Sequence, residues 1–155
     1  MKTRPWSEGR VAVFPGSFRP FTAGHASIVD RALGLFDRIF VAVGVNASKG
    51  EAGEAEAAAS VEAITRHYAD EPRVVALSYR GLTVDLAREV GARFLLRGVR
   101  SVKDFEYERD MADINRKLSG LETVLLYSLP ELSALSSSVV RELEGYGADV
   151  SPFLP

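Results

Sequence analysis

The chain has 155 residues, 46% hydrophobic and 26% charged, with a formal net charge of −2 and no cysteine. That length suits one domain with a buried core, and the composition is that of an ordinary globular protein. The charge balance gives no ground for expecting nucleic acid or a membrane surface as partner. The lack of cysteine excludes disulfides, thiol nucleophiles and thiolate metal sites. With only His25 and His67 as histidines, a structural zinc site of the usual His/Cys kind is excluded as well.

Residues 1–10 (MKTRPWSEGR) carry no hydrophobic signal core, and no apolar run is long enough to span a bilayer. They read as a frayed, flexible leader, and the cytoplasm is the expected location. From Val11 onward two hydrophobic periods alternate. Buried-strand runs occur at Val11–Phe14, Ile39–Val45, Val74–Leu77, Phe94–Leu96 and Thr123–Tyr127.

Helix-period stripes lie between and after them. The first comprises Ile28, Val29, Ala32, Leu33 and Phe36, and the second Val61, Ile64 and Tyr68. A weaker helix over Thr83–Val90 stops at Gly91. Tyr107, Met111, Ile114 and Leu118 form another stripe, and Val139, Val140 and Leu143 a last short one. Each stripe is read as a core-facing surface. The segment SKGEAGEAEAAAS (48–60) is rich in Ala and Glu with two glycines, and reads as a mobile loop leading into a helix.

Strand–helix alternation predicts a single α/β domain, a doubly wound parallel sheet of five strands with helices on both faces. Such sheets bind ligands beyond the carboxyl ends of their strands, where strand order reverses. The loops to search are therefore 15–25, 46–54, 78–83, 97–104 and 128–138.

The first, PGSFRPFTAGH, is neither a Walker loop nor a GxGxxG turn. It still has the parts of a phosphate site. Gly16 admits a close backbone approach, Ser17 offers a hydroxyl, and a helix starting near Gly24 points free N–H groups at the same space. His25 adds a donor. Lys49 follows the second strand and can act as a point charge on a phosphate. Thr83 is placed to cap the helix after the third strand.

Arg97 leaves the fourth strand at its functional edge, and Arg100 follows across Gly98. Two guanidiniums can clamp phosphates, or can pair with Asp104, Glu106 or Glu108. Asp104 and Glu108 share one helix face. Three serines, Ser136–Ser138, run into the last helix. This edge has no Ser-His-Asp or Cys-His arrangement, which argues against covalent catalysis. It favours phosphoryl chemistry done by positioning and charge stabilisation.

The motifs PGSFxPxTxGH, RGVRxxxDFEYE and SSSVVRE, in this order and spacing, resemble the bacterial phosphopantetheine adenylyltransferases. Those enzymes are nucleotidyltransferases with an HxGH-type signature, written here Thr22-Ala23-Gly24-His25. The resemblance covers about Val11 to Pro155 and implies a Rossmann-like nucleotidyltransferase domain over 11–155. It implies adenylyl transfer from ATP to 4′-phosphopantetheine, giving dephospho-CoA and pyrophosphate, with Mg²⁺ carried by the ATP phosphates rather than by protein side chains.

By the same resemblance His25 stabilises the transition state. Ser17, Lys49, Thr83 and Arg97 hold the phosphopantetheine. Ser17, Phe18, His25, Gly98, Val99, Arg100 and Glu108 bind ATP. Leu132, Ser133, Ala134, Leu135, Ser136, Ser137 and Ser138 cover its adenine and outer phosphates. A homohexamer, with coenzyme A as a feedback inhibitor, is implied too. Another nucleotidyltransferase, acting on nicotinamide mononucleotide or a cytidylyl acceptor, and a non-catalytic nucleotide- or coenzyme A-binding module are the alternatives. Arg19 stands where that family usually has Asp, and is expected to point away from the reacting phosphates into water. GEAGEAEAAASVEA (50–63) lacks the Met-Phe pair usual there.

Overall fold

The strand Val11–Gly16 (β1) alternates its side chains between two apolar layers. Ala12 and Phe14 face one layer and Val13 the other, all nearly inaccessible. A strand dry on both faces is the signature of the middle of a parallel sheet. In the computed structural model, which describes residues 9–155, β1 is indeed the central strand.

The elements that follow are α1 (Ala23–Ala32), β2 (Arg38–Gly44), α2 (Glu51–His67), β3 (Val74–Tyr79), α3 (Thr83–Glu89), β4 (Phe94–Val99), α4 (Val102–Ser119), β5 (Glu122–Tyr127) and α5 (Ser137–Gly145). Short 3-10 turns occur at Ala47–Lys49, Pro130–Leu132 and Ser151–Phe153. The strand order is β3-β2-β1-β4-β5, with every pair parallel. After β3 the chain returns across the sheet to pair β4 with β1, aligning Ala12 with Phe94 and Val13 with Leu95. The order therefore reverses between β1 and β4.

One apolar layer joins Phe14, Ile39, Val41 and Leu96 to Ile28 and Val29 of α1 and Ile64 of α2. The other joins Val13, Ala42 and Leu95 to Val84, Leu86 and Ala87 of α3. Burying one such side chain contributes about 1.5–3 kcal/mol. The fold is thus the five-stranded, doubly wound Rossmann-like sheet expected from the sequence. No helix among the described residues is long and apolar enough to cross a membrane.

Three expectations need correction. The 48–60 segment is not a loop: helix α2 begins at Glu51, directly after the Ala47–Lys49 turn. Gly53 serves close packing there, since a Cβ on it would lie 2.2 Å from the Asn46 carbonyl oxygen. The stripe on α4 is not core. Tyr107 is 62% exposed and Leu118 63%, with Met111 and Ile114 also open. Thr83 does not cap α3; Leu82 is the N-cap, and the Thr83 hydroxyl sits 2.8 Å from the Tyr79 hydroxyl. The leader reading falls, for residues 1–8, outside the described residues. Arg10 is held in place, with its N–H donating to Asp37 Oδ2 at 2.6 Å.

Candidate active site

The reversal between β1 and β4 opens a crevice at the carboxyl end of the sheet. A cleft of about 290 Å³ occupies it. Its walls come from the β1–α1 loop (Gly16, Ser17, Gly24, His25), the end of β4 (Arg97, Gly98, Arg100) and the approach to α5 (Leu132, Leu135, Ser136–Ser138). Segments more than 100 residues apart in the chain thus form one polar surface.

His25 owes its orientation to the start of α1. Thr22 is the N-cap and His25 the third helical residue, and they form a reciprocal capping box. The His25 N–H donates to Thr22 Oγ1 at 3.3 Å, and the Thr22 N–H donates to His25 Nδ1 at 2.9 Å. A nitrogen that accepts an amide hydrogen bond carries no proton of its own, so the proton of the neutral ring resides on Nε2.

The ring is wedged between Phe18, edge-on at 4.9 Å, and Phe21, stacked at 5.5 Å. Burial pushes the His25 pKa down to about 4 from its ordinary 6.5, and the charges of Arg97 and Arg100 push the same way. At neutral pH His25 is an uncharged hydrogen-bond donor. Phe18 holds its place with a positive φ of 45°, its ring covering Gly16, where a Cβ would lie 2.9 Å from it.

Arg97 is partly committed. Its Nε donates to both oxygens of Glu108 at 3.0 and 2.9 Å, one terminal nitrogen donates to Glu108 Oε1 at 2.8 Å, and the other to the Pro15 carbonyl at 2.6 Å. Glu108 is nearly buried and lines a second cleft of about 230 Å³ on the far side of Arg97. That cleft also contains Pro15, Gly16, Tyr79, Thr83 and Asn115. Gly16 and Arg97 line both clefts, so the two spaces meet at the end of β1.

The expected residues therefore divide between sites. Ser17, Phe18, His25, Gly98, Arg100, Leu132, Leu135 and Ser136–Ser138 line the first cleft. Thr83 and Glu108 line the second. Val99 is buried in β4, Ser133 donates to the Pro130 carbonyl, and neither Ser133 nor Ala134 lines a cleft wall.

The serines have separate duties. Ser136 caps α5 by accepting the Val139 N–H, while the Ser137 hydroxyl donates to the Pro20 carbonyl at 2.8 Å and ties α5 to the β1–α1 loop. Lys49 is elsewhere. It pairs with Glu56 at 3.1 Å and lines a different cavity, together with Arg19. Arg19 does avoid the first cleft, but it is not left to water: it is ion-paired to Glu56. Glu56 has no role in the sequence reading, and Thr22 enters it only as part of the signature, without a role of its own. Thr22 was accessible, because a threonine three residues ahead of a first-turn polar side chain is a capping signal.

A doubly wound sheet whose switch-point cleft joins a donor histidine, arginines and a serine-capped helix start defines a nucleotidyltransferase of the Rossmann-like class. A family model described as cytidylyltransferase-like matches residues 13–143. Over 146 residues the chain is 51% identical to the phosphopantetheine adenylyltransferase of Bacteroides fragilis, covering 94% of this chain and 96% of that one. It is 53% identical over 145 residues to the enzyme of that name from Porphyromonas gingivalis, covering 94% of each chain. The chain belongs to the phosphopantetheine adenylyltransferases, within the cytidylyltransferase-like family.

Among solved structures, two share the fold at low identity. A Vibrio parahaemolyticus protein described as a nicotinate-nucleotide adenylyltransferase matches with a TM-score of 0.62 at 15% identity, over 94% of this chain and 86% of that one. A lipopolysaccharide core biosynthesis protein from Thermoplasma volcanium matches with a TM-score of 0.52 at 16% identity, over 78% of this chain and 97% of that one.

Proposed function

We propose that the chain transfers the adenylyl group of ATP to 4′-phosphopantetheine, giving dephospho-CoA and pyrophosphate, the penultimate step of coenzyme A synthesis. The observation that carries the mechanism is the neutral His25 donor facing a cleft that meets a second cleft at β1. ATP lies in the first, with its phosphates toward His25, Arg100 and the start of α5. 4′-Phosphopantetheine enters the second, past Thr83 and Arg97.

A phosphate oxygen of 4′-phosphopantetheine attacks the α-phosphorus of ATP in line. The new P–O bond forms as the bond from the α-phosphorus to the bridging oxygen breaks, and that oxygen leaves on pyrophosphate. The nucleophile is already ionised at neutral pH, so no general base is required. The barrier is the charge gathering on the α-phosphoryl and bridging oxygens. The Nε2–H of His25 and the guanidinium of Arg100 answer it with fixed donors. His25 need not gain or lose a proton. Glu108 acts through Arg97, holding its guanidinium at the junction of the clefts.

Glu108 is the one carboxylate lining either cleft among the described residues, and it is taken by Arg97. The residues therefore suit Mg²⁺ brought in on the ATP phosphates, where it supplies charge neutralisation, better than Mg²⁺ held by the protein. The reading includes a homohexamer; assembly as such is supported by the exposed Ile114 and Leu118 on α4, which a second copy would cover, while Tyr107 and Met111 of the same stripe line the second cleft. A cytoplasmic location and feedback by coenzyme A belong to the same reading.

The test is pyrophosphate release from ATP with 4′-phosphopantetheine, with nicotinamide mononucleotide as a competing acceptor. Turnover confined to 4′-phosphopantetheine is expected. Turnover with the other acceptor alone, or tight ATP binding without pyrophosphate release, would overturn the proposal.

A further inference from the structure

The hydrogen bonds of the His25 ring all fall on one atom. Nδ1 accepts from the Thr22 N–H at 2.9 Å and lies 3.2 Å from the Thr22 hydroxyl. Bonds gathered at Nδ1 leave the ring free to tilt about that edge, and tilt is what carries Nε2–H toward or away from a phosphate. The neighbouring rings settle it. Phe18 stands edge-on to the imidazole at 88°, and Phe21 lies stacked on it at 26°. Phe21 needs a support of its own. Phe18 meets one side of it at 5.5 Å, and Tyr68 stands edge-on to it at 6.2 Å.

Tyr68 follows α2 directly and is 8% exposed. Its hydroxyl donates to Asp30 Oδ1 at 3.0 Å and lies 3.5 Å from the Ala26 carbonyl oxygen. Burial, and after it the Asp30 charge, push the Tyr68 phenol up, so it keeps its proton and remains a donor. A hydrogen bond to a charged acceptor is a strong one. Ala26 and Asp30 both belong to α1, the helix that carries His25. The contacts therefore close a circuit. They run from α1 through Asp30 to Tyr68, on to Phe21, to the His25 ring, and back to α1. A phenylalanine would fill the same space as Tyr68. The hydroxyl adds a bond that ties this ring to the helix it serves.

We propose that Tyr68 is a positioning residue for the reaction: pinned to α1 by Asp30, it seats Phe21, and Phe21 sets the tilt at which His25 presents its Nε2–H. This rests on the reading of His25 as the donor to the α-phosphate. Neither Tyr68 nor Asp30 lines either cleft, so both act through His25 and not on a substrate. Misplacing a reacting group by about 1 Å can cost about 10²-fold in rate. The bonds to Nδ1 survive the loss of Tyr68, so a smaller loss is expected here.

The test pairs kinetics with proton spectra of the two histidine rings. Tyr68→Leu is expected to lower kcat about tenfold, roughly 1.4 kcal/mol, with KM for ATP and for 4′-phosphopantetheine changed by less than about twofold. Tyr68→Phe keeps the ring and should recover about threefold of that loss. Asp30→Ala, at an exposed position, leaves the core intact and should itself lose about threefold, which Asp30→Asn should restore. Placed in a His25→Ala chain, Tyr68→Leu and Asp30→Ala should lower kcat no further, whereas a general loosening of the fold would still be felt there. His67 lies 4.6 Å from the Tyr68 ring, so its signals report that Tyr68 has moved, and those of His25 should move with them. A kcat loss that persists in the His25→Ala chain, native kcat in Asp30→Ala and in folded Tyr68→Leu, or His25 signals unmoved while those of His67 shift would each overturn the proposal. A native chain that releases no pyrophosphate overturns the reaction instead, and the spectra still decide whether Tyr68 and Asp30 set the ring.

Discussion

Thr22 and His25 hold each other across the first turn of α1: the Thr22 N–H donates to His25 Nδ1 at 2.9 Å, and the His25 N–H donates to Thr22 Oγ1 at 3.3 Å. The first of these contacts also selects the histidine tautomer, while the second serves the helix start. Helix capping and catalysis therefore share a residue, but through separable atoms.

That separation can be measured. His25→Ala removes the donor at the α-phosphate and is expected to lower kcat by about 10²–10³. Thr22→Ala removes the side-chain cap, at about 1 kcal/mol of stability, but keeps the amide that orients Nδ1. Its kcat is expected to fall by less than about tenfold, roughly 1.4 kcal/mol. Steady-state kinetics and urea unfolding on both variants check the contrast; equal kcat losses would contradict it.

The depressed pKa of His25 has a consequence with a definite sign. In the unfolded chain its pKa returns to 6.5, while in the folded chain it is about 4. Below pH 6.5 the unfolded state takes up a proton that the folded state refuses, so stability from this group falls as pH drops toward 4. Above 6.5 it contributes no pH dependence. Between pH 7 and pH 5 the expected loss is about 2 kcal/mol. Urea unfolding at the two pH values should show that loss in the native chain and a smaller one in His25→Gln. For the same reason kcat should show no limb from His25 between pH 6 and 8.

Glu108 binds Arg97 through three hydrogen bonds and is nearly buried, whereas Arg97 is about a third exposed. Glu108→Ala strands the guanidinium and is expected to cost roughly 2–4 kcal/mol, toward the lower end of what breaking a fully buried pair costs. It should also raise KM for 4′-phosphopantetheine, because Arg97 loses its orientation. Glu108→Gln keeps an acceptor and should recover part of both. A KM unchanged in both variants would contradict the positioning role.

Glu56 holds Lys49 and Arg19 at once. If Lys49 is to meet a substrate phosphate, it must leave Glu56. Glu56→Gln is then expected to lower KM for 4′-phosphopantetheine severalfold with kcat little changed. Kinetics on this variant beside Glu56→Gln/Lys49→Met decide the point; an unchanged KM in the single variant would remove Lys49 from the site.

The α4 stripe offers a test without chemistry. Leu118 and Ile114 are exposed in the single chain, so Ile114→Asp/Leu118→Glu should leave its fold intact. Sedimentation is expected to show an assembly for the native chain and smaller species for this variant. An unaltered sedimentation profile would place the contact surface elsewhere.

Much of this was legible in the residues themselves. Runs such as Val11–Phe14 and Phe94–Leu96 are unbroken and apolar because both faces of those strands are dry, and that needs no tertiary information to read. The loops bearing His25, Arg97 and Ser136–Ser138 follow such runs, so their common edge could be inferred from the parallel arrangement. The α4 stripe misled because a 3.6-residue period records only that one helix face is apolar, not whether its cover comes from the same chain. Gly53 misled because a glycine required for a 2.2 Å clearance looks, in sequence, like one that marks a loop.

The sequence alone determined the sheet, its winding and the polar edge, since these follow from local periodicity and from the chirality of parallel crossovers. Pairing was decided only in three dimensions. Arg97 meets Glu108, and Arg19 and Lys49 converge on Glu56, because side chains 7, 11 and 37 residues apart compete for one another once the backbone brings them within about 3 Å. That competition separates the residues facing the two clefts from those left around the cavity behind them.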